Sequence, residues 1–212
     1  MGNAHARVIV IPEKASPMTD LSCPPDDLTQ WRQTERARLI DARQKIPVSA
    51  RQAADIELAQ QLDALLGDIS GRMISLYWPF RGEPDLRHWA AACRKSGAKT
   101  ALPVVVAKAT PLIFRDWDAT TKLDKGVWNI PIPPAEAATV TPDIVLAPVV
   151  GLDAQLYRLG YGGGFFDRTI AAIRATGANP TVIGVGYDMQ RMETIHPHRF
   201  DIPMDHALLV PA

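Results

Sequence analysis

The segment from Ile144 to Tyr187 reads IVLAPVVGLDAQLYRLGYGGGFFDRTIAAIRATGANPTVIGVGY, and it indicates the architecture of the chain. Its first part, Ile144–Val150, is an apolar run typical of a strand that is covered on both faces. Gly164–Ala175 then predicts a helix, which Gly177 ends, and Thr181–Tyr187 predicts a further apolar strand. Strands that alternate with helices predict a mostly parallel sheet with helices packed on its faces.

The same alternation continues on both sides of this segment. Helices are predicted over Leu28–Lys45, Ser49–Leu66 and Pro84–Gly97, and strands over Met73–Trp78, Thr100–Val106, Leu112–Phe114 and Ala207–Val210. Asp26 or Asp27 is a candidate cap for the first helix. Residues 1–27 are rich in proline and show no sustained period, which predicts a poorly ordered N-terminal arm. Residues 28–212 are therefore predicted to form a single α/β domain with an open, mostly parallel sheet flanked by helices.

The composition excludes several classes of protein. The 212 residues include 23 basic and 23 acidic side chains, so no overall field attracts nucleic acid or an anionic membrane. No apolar run reaches the roughly 18 residues of a membrane span, and none near the start has the length of a secretion signal. Cys23 and Cys93 make neither a disulfide framework nor a zinc site. We therefore expect a cytoplasmic protein with no nucleic-acid or membrane partner, and a monomer is favoured.

The strongest local signal for chemistry is the segment Arg158–Arg168, which we call the glycine loop. It reads RLGYGGGFFDR and has glycine at four of the five positions 160–164, between a buried strand and a helix. Glycine lets the backbone approach a ligand closely, and N–H groups at a helix N-terminus bind phosphate. The loop lacks the Gly-Lys-Ser/Thr of a P-loop and the third glycine of the dinucleotide fingerprint. A tight strand–helix connection is the alternative interpretation, but one glycine would suffice for that.

Two aspartates are candidate metal ligands. Asp167 falls in the first turn of the helix after the glycine loop, where the helix dipole alone favours an acidic residue. Beside a polyphosphate, however, a carboxylate is repulsive unless a cation lies between them, and Mg²⁺ held by carboxylate and phosphate oxygens fits. Asp205 is the second candidate, with a simple turn residue as the alternative. His196 and His198 have no third ligand nearby, and a solvent-facing turn is the favoured interpretation.

Several other polar and aromatic residues have both a functional and a structural interpretation. Arg32, Arg36 and Arg43 share one face of the first helix, where a solvated charge stripe is the commoner interpretation. Glu83 follows a predicted strand, where ligands of open α/β sheets bind, but it is otherwise an ordinary loop acid. Trp128 lies in a proline-rich loop and either stacks on a heterocycle or packs over the core.

These landmarks together resemble the 5-formyltetrahydrofolate cyclo-ligase family, also called methenyltetrahydrofolate synthetase. The resemblance runs from about Trp31 to Leu209, and the glycine loop, Arg158–Arg168, is its most specific part. Supporting matches follow in order: Tyr77–Glu83, Ala101–Val104, Trp128–Pro131, Gly184–Asp188 and His198–Asp205.

The resemblance implies an α/β enzyme that uses ATP and Mg²⁺ to convert 5-formyltetrahydrofolate into 5,10-methenyltetrahydrofolate. It places Arg32, Arg36 and Arg158 in catalytic positions and Asp167 and Asp205 as magnesium ligands, with Glu83, Trp128 and Tyr161 on the folate side. The implied ATP site comprises Arg32, Arg36, Arg158, Gly160, Tyr161, Gly162, Gly163, Gly164, Phe165, Phe166, Asp167 and Arg168.

The chain departs from the family pattern at two positions. Arg32 stands where the family has lysine, and Phe166 replaces the tyrosine that usually precedes the aspartate. Paralogues without the activity tend to vary at these places. The alternative function is therefore a divergent paralogue that binds nucleotide but acts on another substrate or does not turn over.

Overall fold

The computed structural model describes residues 25–212. Within them the chain forms four α-helices: α1 (Leu28–Gln44), α2 (Val48–Leu66), α3 (Arg87–Lys95) and α4 (Phe165–Ala175). The strands in the same residues are β1 (Met73–Ser75), β2 (Lys99–Val104), β3 (Ile113–Asp116), β4 (Asp124–Lys125), β5 (Pro131–Ile132), β6 (Thr139–Val140), β7 (Ile144–Pro148), β8 (Gly151–Leu152), β9 (Arg158–Leu159), β10 (Thr181–Tyr187) and β11 (His206–Val210).

Seven of these strands form the central sheet, in the order β11-β10-β7-β1-β2-β3-β6. The pairs from β11 to β2 are all parallel, and β3 and β6 add an antiparallel edge. In the centre of the sheet Ile144 of β7 lies opposite both Ile74 of β1 and Thr181 of β10. The predicted open, mostly parallel sheet with flanking helices is confirmed.

The two faces of the sheet carry different helices, and β7 shows how its residues divide between them. Ile144 and Leu146 pack with α2 and α3, whereas Val145 and Ala147 pack with α4 on the opposite face. Successive side chains of a strand point to opposite faces, so a strand covered on both sides has to be apolar throughout. That requirement accounts for the unbroken apolar run that predicts β7.

Helix α1 occupies a third position, where it contacts the segments that follow the carboxyl ends of the parallel strands. Asp27 caps its N-terminus, since the carboxylate accepts a hydrogen bond of 2.9 Å from the Gln30 N–H. Leu39 packs there against Val150, Leu159 and Ile195. The face that carries the three arginines is therefore largely buried, and the interpretation of a solvated charge stripe is wrong.

Two smaller expectations concern the start of the third helix and the N-terminal arm. Pro84 does not begin a helix, because α3 begins three residues later at Arg87. The predicted arm, residues 1–27, lies outside the described residues except for positions 25–27. Within residues 25–212, no helix combines the length and the apolar character needed to cross a membrane.

Candidate active site

A cavity of about 520 Å³ opens at the carboxyl edge of the parallel strands. Its walls come from α1, the loop after β1, the loop around Trp128, the glycine loop and the residues around Asp201. The predicted site residues that line it are Arg32, Arg36, Glu83, Trp128, Arg158, Gly160, Tyr161, Gly162, Gly163, Gly164, Phe165, Phe166, Asp167 and Arg168. The fold thus brings together every predicted site residue except Asp205.

The glycine loop lines this cavity, and its backbone has unusual φ angles and N–H groups without protein acceptors in the described part of the chain. Gly162 and Gly164 adopt φ angles of +97° and +61°, which favour glycine because they strain residues with a Cβ atom. Gly164 also precedes the first turn of α4. Within residues 25–212 the backbone N–H groups from Gly162 to Asp167 donate no hydrogen bond to the protein. Unpaired N–H groups at a helix N-terminus form a site for an anion, and phosphate suits it.

Arg36 is the side chain best placed to add positive charge to this site. Its Nε donates a 2.7 Å hydrogen bond to the Gly160 carbonyl, which fixes the guanidinium beside the loop. Its two terminal nitrogens donate no hydrogen bond to any other residue of the described range 25–212. Burial lowers the pKa of Arg36, and the neighbouring charge of Arg32 lowers it further. An anion in the cavity would relieve that repulsion.

Arg158 is buried at the base of the same loop. Its Nη2 donates a 3.2 Å hydrogen bond to the Asp167 carboxylate, and its guanidinium lies 5.0 Å from the centre of the Phe166 ring. Burial lowers the pKa of Arg158, and Asp167 opposes that shift. The phenylalanine at position 166 therefore keeps a cation–π contact with Arg158 but brings no hydroxyl.

Arg32 is engaged differently, because it joins α1 to the segment before β11. Its Nε donates to the Ile195 carbonyl at 3.2 Å, and its Nη2 donates to the His196 carbonyl at 2.6 Å. The same Nη2 forms an ion pair of 2.8 Å with Asp201. The planar guanidinium makes these contacts from two nitrogens in a fixed geometry, whereas a lysine would have to make them from one. The arginine thus holds the segment that carries Asp201 against the cavity.

The two aspartates predicted to share a metal have different surroundings in the structure. Asp167 lines the cavity at the first turn of α4. The Asp205 carboxylate instead accepts hydrogen bonds from Arg174, near the last turn of that helix, and from the Val182 N–H. Asp205 is not among the residues that line the cavity, and the ion shared by Asp167 and Asp205 stays a prediction. Asp201, in contrast, lines the cavity beside Asp167, and the adjacent Ile202 N–H donates to Asp167 at 3.3 Å. Within residues 25–212 no cluster of three or more metal-ligating side chains occurs.

A second subsite is built around the buried carboxylate of Glu83. One of its oxygens accepts a hydrogen bond of 2.9 Å from the Phe80 N–H, and the other accepts one of 2.8 Å from the Tyr161 hydroxyl. Burial raises the pKa of Glu83, while Arg43 and Tyr161 oppose the rise. Each oxygen retains acceptor capacity for a ligand N–H.

Trp128 borders this subsite instead of packing in the core. Its side chain is exposed, and its ring lies parallel to that of Phe80 with their centres 6.2 Å apart. The residue has a φ of +57°, an unusual backbone conformation for a tryptophan. The alternative of packing over the core is therefore wrong, and the indole is available for a flat ligand.

Three residues that shape the cavity region were not predicted from the sequence. Asp201 lies four positions before Asp205, and nothing in their spacing distinguishes the two. The sequence placed Arg43 on the same helix face as Arg32 and Arg36, but the spacing of the three arginines does not indicate that Arg43 is fully buried. Phe200 is exposed and lines the cavity, and an isolated aromatic residue in a polar turn gives no signal of its own.

The fold and the cavity define an open α/β protein whose ligand site lies beyond the carboxyl ends of its parallel strands. Comparison with known proteins narrows this class. The sequence model of the 5-formyltetrahydrofolate cyclo-ligase family matches residues 28–210. The chain belongs to this family, as the resemblance of the glycine loop and the other landmarks indicated.

Individual relatives agree with this assignment. A 5-formyltetrahydrofolate cyclo-ligase of Mycolicibacterium smegmatis is 30% identical over 180 residues, which cover 82% of this chain and 90% of that protein. The Haemophilus influenzae protein of the same name is 26% identical over 186 residues, covering 85% and 98% of the two chains.

Solved structures agree on the fold. A 5,10-methenyltetrahydrofolate synthetase of Aquifex aeolicus superimposes with a TM-score of 0.69 at 23% identity, covering 84% of this chain and 89% of that one. The synthetase of Mycoplasma pneumoniae gives a TM-score of 0.66 at 23% identity, covering 84% and 96%.

Proposed function

We propose that this protein converts 5-formyltetrahydrofolate into 5,10-methenyltetrahydrofolate and couples the reaction to the conversion of ATP into ADP and phosphate. Membership of the cyclo-ligase family supports the proposal. The observation that carries it is the single cavity in which an anion site at the glycine loop adjoins a carboxylate subsite at Glu83. One cavity therefore has a place for the phosphates of ATP and another for the pterin of the folate.

The chemistry requires an oxygen to be made into a leaving group. The N5-formyl oxygen attacks the γ-phosphorus of ATP, the bond to ADP breaks, and the formyl carbon becomes an activated imidate. N10 then attacks that carbon, its proton leaves, and the carbon–oxygen bond breaks with release of phosphate. No protein nucleophile is needed, so the task of the site is alignment and charge stabilisation.

The glycine loop and its arginines supply the charge stabilisation. Loop N–H groups between Gly162 and Asp167 bind the transferring phosphate, and the terminal nitrogens of Arg36 add charge-assisted hydrogen bonds. Arg158 orients the Asp167 carboxylate and compensates its charge. Arg32 fixes the segment with Asp201 and leaves Nη1, its other terminal nitrogen, for a phosphate oxygen.

Asp167 and Asp201 are the residues that would hold Mg²⁺ in this cavity. Both are hard oxygen donors on the phosphate side of the cavity, and Mg²⁺ favours one or two carboxylates together with substrate phosphates. When bound, the ion would neutralise charge on the phosphates. Arg32 and Arg158, which pair with these carboxylates, hold them in place.

On the folate side, Glu83 accepts hydrogen bonds from N–H groups at the edge of the pterin. Trp128 and Phe80 offer a flat apolar surface against which the substrate rings pack. Tyr161 lies between the two subsites, since it belongs to the glycine loop and its hydroxyl donates to Glu83. A shift of the loop therefore also reaches the folate subsite.

The paralogue that binds nucleotide without cyclo-ligase turnover is the second candidate. The observation that favours it is the engagement of Arg32, whose guanidinium is tied to Ile195, His196 and Asp201 where the family has a lysine. In that case ATP binds at the glycine loop and no methenyl product forms.

An absorbance assay separates the two functions. The protein is incubated with 5-formyltetrahydrofolate, Mg²⁺ and ATP, and the absorption band of the methenyl product is followed against a reaction without ATP. We expect ATP-dependent product, and Glu83→Gln should abolish most of it while ATP still binds. ATP binding by calorimetry without any product would contradict the cyclo-ligase function and support the paralogue.

A further inference from the structure

Arg43 is a fully buried cation that the chemistry described above does not use. It lies on α1, on the helix face that also carries Arg32 and Arg36, but its side chain has no exposed surface and does not line the cavity. An arginine that deep in a protein has to be satisfied by neighbours, since a buried unpaired charge is costly. Its partners therefore indicate why it is there.

The guanidinium of Arg43 reaches the walls of the folate subsite. Its Nε donates to the Arg81 carbonyl and its Nη1 to the Val149 carbonyl, both at 3.0 Å. Its Nη2 donates to the Tyr161 hydroxyl at 2.6 Å and lies 3.8 Å from a Glu83 oxygen. All three nitrogens donate hydrogen bonds, and Nη2 lies beside both Tyr161 and Glu83.

Tyr161 transmits this contact to Glu83. Its hydroxyl accepts from Arg43 and donates to one Glu83 oxygen at 2.8 Å, while the Phe80 N–H holds the other oxygen at 2.9 Å. We call the three side chains Arg43, Tyr161 and Glu83 the Arg43 network. In it, the carboxylate is fixed from both ends and the arginine supplies the nearest opposite charge.

We propose that Arg43 is a positioning residue that acts through Tyr161 and keeps Glu83 ionised and oriented to accept N–H donors of the bound substrate. The pterin as the donor rests on the proposed function, whereas the effect of Arg43 on Glu83 does not. A purely structural arginine would stabilise the loops through the two carbonyls and leave the titration of Glu83 unchanged. The pKa of Glu83 thus separates the two roles.

The charges around Glu83 support this role. Burial raises its pKa, and the Arg43 charge is the largest influence in the opposite direction, ahead of Tyr161, the Phe80 N–H and Arg158. The titratable or charged groups that face this region from the packed elements are Arg43, Arg51, Asp55, Tyr77, Asp85, Arg158, Tyr161 and Tyr187. Of these, Arg43 is the cation in salt-bridge range of the carboxylate.

The test is a carbon NMR titration of protein labelled with ¹³C at the glutamate carboxyl carbons, with Glu83 assigned through its loss in Glu83→Gln. An opposite charge within ~4–6 Å lowers a carboxyl pKa by ~1–3 units. We therefore expect Arg43→Gln to move the Glu83 midpoint upward by ~1 unit or more. Arg43→Lys, which keeps the charge, should move it by less. Arg38→Gln, at an exposed position of the same helix, should leave it unchanged.

Tyr161→Phe is the second variant, and it decides the question if Arg43→Gln does not fold. It removes the hydroxyl that links Arg43 to Glu83 without opening a large cavity, and it should also raise the midpoint. A midpoint that stays at the wild-type value in every folded variant would overturn the proposal.

Binding of 5-formyltetrahydrofolate, measured by calorimetry across pH without ATP, tests the link to the substrate. Affinity should fall as pH decreases through the Glu83 midpoint, and at a higher pH in Arg43→Gln than in wild type. If wild type binds no folate at any pH, the proposed function fails while the NMR result still stands. If folate binds but its affinity falls at the same pH in Arg43→Gln as in wild type, Arg43 does not act on substrate binding and the proposal fails.

Discussion

Replacing Arg36 by glutamine tests whether the arginine beside the glycine loop binds the phosphates of ATP. In the free protein this side chain makes one hydrogen bond, from its Nε to the Gly160 carbonyl, and its terminal nitrogens have no protein partner within residues 25–212. The change should therefore cost only ~0.5–1.5 kcal/mol of folding free energy. In the complex it removes charge-assisted hydrogen bonds to phosphate, each worth ~1.5–3 kcal/mol.

The expected result is a large loss of ATP affinity with little loss of stability. One lost contact of ~1.5–3 kcal/mol corresponds to ~10- to 150-fold in Kd, because 1.4 kcal/mol is about tenfold. The assay is calorimetry with ATP and Mg²⁺ in the absence of folate, together with a thermal melt of each variant. Measuring ATP alone keeps the result independent of turnover.

Arg38→Gln is the matched control, because it removes the same charge from the same helix at an exposed position that pairs with Glu35. It should bind ATP within about twofold of wild type, since exposed ion pairs are worth ~0–1 kcal/mol. If Arg36→Gln also binds ATP within twofold of wild type, the arginine is not a phosphate ligand and the reasoning fails.

Further predictions concern the loop, the metal, Arg32 and the buried thiol. Gly162→Ala should weaken ATP binding at least tenfold, because it strains a backbone with φ of +97° and places a methyl group 3.5 Å from the Arg36 guanidinium carbon. Unchanged ATP affinity by calorimetry would exclude the glycine loop from the ATP site. Asp201→Ala should raise the Mg²⁺ concentration for half-maximal turnover while Asp205→Ala does not, and the reverse result would make Asp205 the ligand. Arg32→Lys should lower the melting temperature by ~3–8 °C through loss of charged hydrogen bonds, while its ATP affinity stays within about threefold of wild type. A wild-type melting temperature with weakened ATP binding would instead make Arg32 primarily a phosphate ligand. Burial raises the pKa of Cys93 to about 12, so at pH 8 its thiol stays protonated and should resist alkylation until the protein unfolds; labelling of the native protein, located by mass spectrometry, would contradict this.

Much of the fold could be predicted from the sequence, because the central strands of the sheet are buried on both faces. At their length, the apolar runs at β7 and β10 are typical of buried strands, and the helices carry clear end signals such as Gly67 and Gly177. The pairs β4–β5 and β8–β9 were not predicted, since a strand of two residues has no measurable period.

Residues of the cavity were identified where local backbone geometry requires a residue type, as at the glycines. They were missed where residues distant in sequence come together only in the folded chain. Gly162 and Gly164 need positive φ angles, which leaves a visible pattern in the sequence. Asp201 and Asp205 are only four residues apart, yet an extended chain covers ~13 Å over that length. Only the structure shows that Asp201 lines the cavity whereas Asp205 pairs with Arg174.

The central claim, that the formyl oxygen leaves as phosphate, is tested most directly by isotope transfer. The protein is given 5-formyltetrahydrofolate labelled with ¹⁸O in the formyl group, with ATP and Mg²⁺, and the released phosphate is analysed by mass spectrometry. The account predicts one labelled oxygen in the phosphate for each methenyl product formed, and no labelled phosphate without ATP. Methenyl product accompanied by unlabelled phosphate would contradict the account.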